Sequence, residues 1–290
     1  MKLSTALTIS LLGLSLVAVM VGVRITGARS TETSSVLESS EGGNEPKGAT
    51  TGAMSPILVE LFTSEGCSSC PPADQVLSNL EKEQSVPGAD IIVLSQHVDY
   101  WNQLGWRDPY SSAEFSARQS NYAGVFGRNG VYTPQMIVDG RLEFVGSNST
   151  KALEAITQAT RFPKAKIRID LVHNLDKRQD RSLQFAVQIE NIPAISKGDT
   201  AEVLLAITES DLSSSVATGE NAGRNLRHTA VVRRLDSVAI IGGLSNERSF
   251  TTTAATIPNT WRREKLRAVV FVQERLSRHV LGSAMIEIAK

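Results

Sequence analysis

Apolar positions along the chain follow two different rhythms. Between about residues 55 and 163, short continuous runs alternate with helical spacing. Ile57-Leu58-Val59-Glu60-Leu61-Phe62 and Ile91-Ile92-Val93-Leu94 have the length and texture of strands buried on both faces. Ala73, Val76, Leu77 and Leu80 recur at helical spacing, and Ser112 to Phe126 reads as a helix with Phe115, Gln119, Tyr122 and Phe126 along one side. Gln135-Met136-Ile137-Val138 runs into Asp139-Gly140, a hairpin turn signal, with Phe144-Val145 placed to pair back. Lys151 to Phe162 carries Leu153, Ile156 and Ala159 as an amphipathic helix. Strand and helix signals in alternation predict an α/β domain over residues 55–163.

After Phe162-Pro163 the helical periods stop. Alternation takes over at Ile167, Ile169 and Leu171, at Leu183, Phe185, Val187 and Ile189, and at Val203, Leu205 and Ile207. Further runs occupy 229–232, 249–256, 266–272 and 280–288. About seven short strands with polar turns predict an antiparallel β-sandwich-like domain over 164–290. Its loop Gly219-Glu220-Asn221-Ala222-Gly223-Arg224-Asn225 is the candidate for contact with the first domain or a partner.

The start of the chain changes the setting. Lys2, an uncharged apolar stretch from Leu3 to Val23, and then Arg24 and Arg29 make residues 1–29 an export signal or an N-terminal membrane anchor. Residues 30–54, rich in Ser, Thr, Glu and Gly, read as a disordered linker. The rest is expected outside the cytoplasm, periplasmic or secreted, touching a membrane only through residues 3–23. Lys plus Arg equals Asp plus Glu at 30 each. No basic stripe with interleaved aromatics is present, which argues against nucleic acid as a partner.

Chemistry concentrates at Cys67-Ser68-Ser69-Cys70-Pro71-Pro72, which holds both cysteines of the chain. The pair follows a strand and precedes a helix, at the sheet edge where open α/β folds build sites. A helix N-terminus favours a thiolate, although the prolines displace the regular helix from Cys67. Three readings follow: a redox-active pair, an inert disulfide, and a soft Cu(I) site made by Cys67, Cys70 and His97. A four-residue loop constrains few unfolded conformations, so stability alone is a weak reason for the bond. His97 and Asp99, two positions apart on an extended chain, are candidates for proton transfer. Trp101 and Trp106 lie in the polar and aromatic loop that follows.

A Cys-x-x-Cys after a strand, and Thr133-Pro134 leading into a strand that ends at Asp139-Gly140, resemble the thioredoxin fold. The wording from Glu60 to Asp74, with His97-Val98-Asp99-Tyr100-Trp101, Leu104-Gly105-Trp106, Arg118-Gln119, Tyr122 and Tyr132-Thr133-Pro134-Gln135, is similar to the exported bacterial family catalogued as domain of unknown function 1223. The similarity runs from Val59 to about Gly146 and resumes at Gly223-Arg224-Asn225-Leu226-Arg227-His228. It implies a thioredoxin-like first domain with a cis Thr133–Pro134 bond lying against the cysteines. Ser68-Ser69 replaces the Gly-Pro that thioredoxins carry, and the usual preceding Trp is absent. The expected function is thiol–disulfide exchange with protein thiols or a redox partner. Cys67 attacks, Cys70 resolves, Pro134 shapes the groove, His97 or Asp99 relays the proton, and Thr133, Trp101 and Trp106 face the substrate. The competing expectations are a non-catalytic binding protein on the same scaffold and a Cu(I) carrier.

Overall fold

The computed structural model describes residues 54–172, 182–241 and 248–289. The segment expected to direct export or anchor the chain, and all of the expected linker but Met54, lie outside the described residues. No helix among the described residues is long and apolar enough to cross a membrane.

Residues 50–290 form one compact unit. In chain order the elements are β1 (Ser55–Thr63), α1 (Pro71–Glu83), β2 (Ala89–His97), α2 (Ala113–Val125), β3 (Gln135–Val138), β4 (Leu142–Val145) and α3 (Ser149–Ala159). They continue with β5 (Lys166–Val172), β6 (Ser182–Glu190), β7 (Ala201–Glu209), β8 (Leu212–Ser215), β9 (Asn225–His228), β10 (Val231–Ile241), β11 (Arg248–Thr256), β12 (Leu266–Glu274) and β13 (Val280–Glu287). The expectation of a thioredoxin-like α/β domain followed by a β-sandwich is corrected here. Strands from both halves hydrogen-bond into one mixed eight-stranded sheet, ordered β13-β12-β7-β10-β2-β1-β3-β4. The seam is β2 against β10, where Ser95 pairs in parallel with Val231 and its N–H donates to the Ala230 carbonyl at 2.9 Å. Among the described residues, β5, β6 and β11 form a separate antiparallel sheet, and β8 and β9 make a two-stranded ribbon.

Period-2 alternation explains how one sheet carries several cores. On β1, Ile57, Val59 and Leu61 pack under α1 and α3, while Leu58 faces a cluster with Ile92, Leu94, Leu204, Val269 and Phe271. On β7, Val203, Leu205 and Ile207 pack against the three-stranded sheet, while Leu204 and Ala206 join Leu58. The sheet curls until β13 packs against β1, and Val280 N–H donates to the Asp139 carbonyl at 2.9 Å.

Inside the curl lies a polar knot. Glu60 of β1 accepts from Arg118 Nε at 2.7 Å, Arg118 Nη2 at 3.0 Å, Gln96 Nε2 at 2.6 Å and the Tyr122 hydroxyl. Gln273 of β12 donates to that hydroxyl at 2.8 Å. Burial opposes charge on Glu60, but the Arg118 guanidinium and these hydrogen bonds outweigh it and hold the carboxyl below its ordinary range.

Candidate functional site

β1 delivers the cysteines to its carboxyl end, and α1 starts there with Cys70 as N-cap and prolines at its first two positions. Proline suits these positions because their N–H groups lack intrahelical partners. Cys67 and Cys70 form a disulfide, and both residues are fully buried while Ser68 and Ser69 between them are exposed. The cover comes from the loop between β8 and β9. Asn221 Nδ2 donates to the carbonyls of Glu65 and Cys67 at 2.8 and 2.9 Å. Glu220 accepts from the Ser68 N–H at 3.0 Å, and the Thr218 hydroxyl donates to the Gly105 carbonyl. This is the loop singled out in the sequence, seated on the cysteine motif.

Behind the disulfide, buried acids and imidazoles interlock. Glu65 accepts from Trp106 Nε1 at 2.8 Å and pairs with His228 Nε2 at 3.0 Å. Its own N–H donates to Asp108 Oδ2 at 2.9 Å, and the same oxygen takes His97 Nδ1 at 2.7 Å. The two imidazole rings meet edge to face at 4.7 Å. Burial works against the Asp108 charge, but His97 and two backbone N–H groups hold its carboxyl below the ordinary value. Asp74, one turn into α1, is the opposite case. Burial pushes its carboxyl up to about 7, and His228, 3.9 Å away, offsets the rise only in part. Asp74 Oδ1, His228 Nδ1, His97 Nε2 and Thr63 Oγ1 are buried without hydrogen-bond partners among the described residues.

The expected site residues separate into two groups. Cys67, Cys70 and His97 share the end of β1 and β2, since Thr63 and His97 are register partners. Asp99 is not brought to His97. The strand ends at His97, and Asp99 turns to accept from the Ser116 hydroxyl of α2 at 2.5 Å. Trp101 donates its indole N–H to Thr133 Oγ1 at 2.8 Å, so these two brace the loop against each other. The Thr133–Pro134 bond is cis, and the Pro134 carbonyl accepts from the Gly146 N–H at 2.9 Å; a side chain added at Gly146 would run into Leu61, Ala73 of α1 and Pro134. Glu65, Asp74, Asp108, Asn221 and His228 were not singled out as site residues. Glu65 and Asp74 flank the cysteines in sequence, which was the available signal. Asn221 lies in the loop expected to make a contact and His228 in the resumed family motif, but at over 150 positions from the cysteines nothing tied either to them. Among the described residues, no group of three or more His, Cys, Asp and Glu side chains is arranged to hold a metal ion.

The raised Asp74 carboxyl makes stability depend on pH. The folded state keeps a proton that an unfolded Asp releases near pH 3.8. The free-energy difference is therefore absent below that value, and stability falls as pH rises toward 7. Asp74→Asn has no such loss, so its advantage over the native chain is expected to grow from pH 4 to pH 8 by roughly 2–4 kcal/mol. Urea unfolding at both pH values measures it, and an unchanged difference between the two chains contradicts it.

The profile of the family described as "Protein of unknown function (DUF1223)" matches residues 58–273. No curated protein matches the chain. A crystal structure of a protein from Agrobacterium tumefaciens is 27% identical, covering 80% of this chain and 94% of its own, with a TM-score of 0.58. HBP35 of Porphyromonas gingivalis is 13% identical, covers 82% of this chain and 76% of its own, and superposes with a TM-score of 0.58, a likeness of fold alone.

Proposed function

Because the chain belongs to the DUF1223 family, whose description assigns no activity, we propose a function from the site itself: thiol–disulfide exchange with protein thiols outside the cytoplasm. The observation that carries the reading is the placement of the Cys67–Cys70 disulfide. It closes a four-residue ring at the carboxyl end of a central strand, directly before a helix. So short a ring adds little stability, and the helix N-terminus favours the thiolate that exchange needs. A substrate thiolate attacks Cys67, and Cys70 leaves. In the reverse direction Cys70 resolves the mixed disulfide. Exposed Ser68 and Ser69 mark where a partner arrives, and the Thr218–Asn221 cover must withdraw to admit it.

The burial of both sulfurs favours a second reading, a binding protein in which the disulfide is inert. One experiment separates the two. The full exported chain is titrated in thiol buffers, and Cys70→Ser is searched for a protein held through Cys67. Exchange predicts a reversible couple between about −120 and −270 mV and a trapped partner. A bond that stays oxidised throughout, with no partner trapped, leaves the binding reading.

A further inference from the structure

Resting on the exchange reading, we infer that Asp74 carries the proton between the buried Cys70 sulfur and the groove beside α1, with His228 as the residue that positions it. Cys70 has helical backbone angles, and the Asp74 N–H donates to its carbonyl at 3.1 Å. Residues four apart on a helix share one side, so Asp74 stands on the Cys70 side of α1, one turn further on. A thiolate released at Cys70 is shut off from water, because that residue has no exposed surface. With the sulfur so enclosed, an acid on the same side of α1 can supply its proton without bulk water reaching it.

His228 is oriented for the supporting role. A carboxylate can only accept, so the 3.0 Å contact with Glu65 puts a proton on Nε2, and it is the charge His228 carries when Nδ1 is protonated too that lowers the Asp74 carboxyl. Nδ1 then faces Asp74 Oδ2 at 3.9 Å, and neither Nδ1 nor Asp74 Oδ1 has a hydrogen-bond partner among the described residues. Asp74 and His228 also line a 670 Å³ groove between α1 and the β8–β9 ribbon. Solvent in that groove can reload the carboxyl. The groups acting on Asp74 are His228 from β9, Thr63 from β1, and the more distant Glu65 and Asp108 carboxylates. Lys82 of α1, Asp211 and Arg227 stand on the groove walls. A carboxyl titrating near neutrality can both give and take a proton there.

The step balances. A substrate thiolate forms a bond to Cys67 Sγ, the Sγ–Sγ bond breaks, and Cys70 leaves with the electron pair. Asp74 gives Cys70 its proton, and groove water restores the acid. In the reverse direction the Asp74 carboxylate takes the Cys70 proton. The resulting thiolate displaces the substrate sulfur from Cys67 and re-forms the disulfide.

The test is the rate at which dithiothreitol reduces the disulfide of the full chain from pH 5 to pH 9, divided by the dithiothreitol thiolate concentration. The native rate constant is expected to fall as pH rises through about 7. Asp74→Asn is expected to flatten that profile and slow the reaction at pH 6 at least ~10-fold, since positioned acids contribute about 10²–10⁴-fold. Asp74→Glu should restore a falling profile, and His228→Gln should move its inflection. An Asp74→Asn profile that keeps the native inflection overturns the inference while leaving exchange intact. A native disulfide that is not reduced at any pH overturns exchange itself. If Asp74→Asn does not fold, the inflection in His228→Gln decides, and an unmoved one counts against the path.

Discussion

Replacing Glu60 with Ala is expected to destabilise the fold by about 3–5 kcal/mol, because it strands a buried guanidinium. Arg118 has its Nε and Nη2 on Glu60, and its side chain is 8% exposed, so water cannot take over the lost bonds. Tyr122 loses its acceptor in the same stroke, and Gln96 loses its own. The pairing of Arg118→Met with Glu60→Ala should recover a large part of the loss, since an apolar replacement for both charges leaves no buried ion. Urea unfolding of the single and double variants measures this. A loss below ~1 kcal/mol for Glu60→Ala, the size of an exposed ion pair, contradicts the account.

Gly140→Ala should cost a comparable amount for a different reason. Gly140 closes the turn between β3 and β4 with φ +64°, and a methyl built on it sits 1.8 Å from the carbonyl oxygen of Arg278. That oxygen belongs to backbone between β12 and β13, where the curled sheet meets itself. A left-handed alanine costs about 1–2 kcal/mol, and forced overpacking adds roughly 1–3 kcal/mol. The expected total is on the order of 3–4 kcal/mol, read from urea midpoints at unchanged m-value. If the variant unfolds like the native chain, the two turns are not in contact in solution.

Local pattern made most elements legible. The apolar run at 57–62, the helical spacing at 73–80, and the alternation in 203–207 each encode one strand or helix, and each formed where expected. What pattern could not supply was partnership. β2 meets β10 across more than 130 positions through a single paired residue, and nothing in Ser95 or Val231 announces it. A strand such as Val203-Leu204-Leu205-Ala206-Ile207 reads the same in a sandwich as in a curled sheet with cores on both faces. The site divides in the same way. Cys67, Cys70 and His97 were visible because strand ends bring them together. Asp108 and His228 act on that edge from a loop and from the ribbon, and buried imidazole–carboxylate pairs leave no periodic trace.

The order of strands in the sheet also fixes when the chain can finish folding during its delivery. β2 leaves the synthesising machinery with one edge open, and its partner β10 follows only after some 130 further residues. Through that interval the half-built sheet of β2, β1, β3 and β4 offers unpaired backbone groups and an uncovered inner face at Leu58, Ile92 and Leu94. The contact of Val280 with Asp139 waits for almost the whole chain. Nascent copies therefore carry a sticky edge for nearly half of their emergence, and no N-terminal fragment can stand as a finished, self-sealed body.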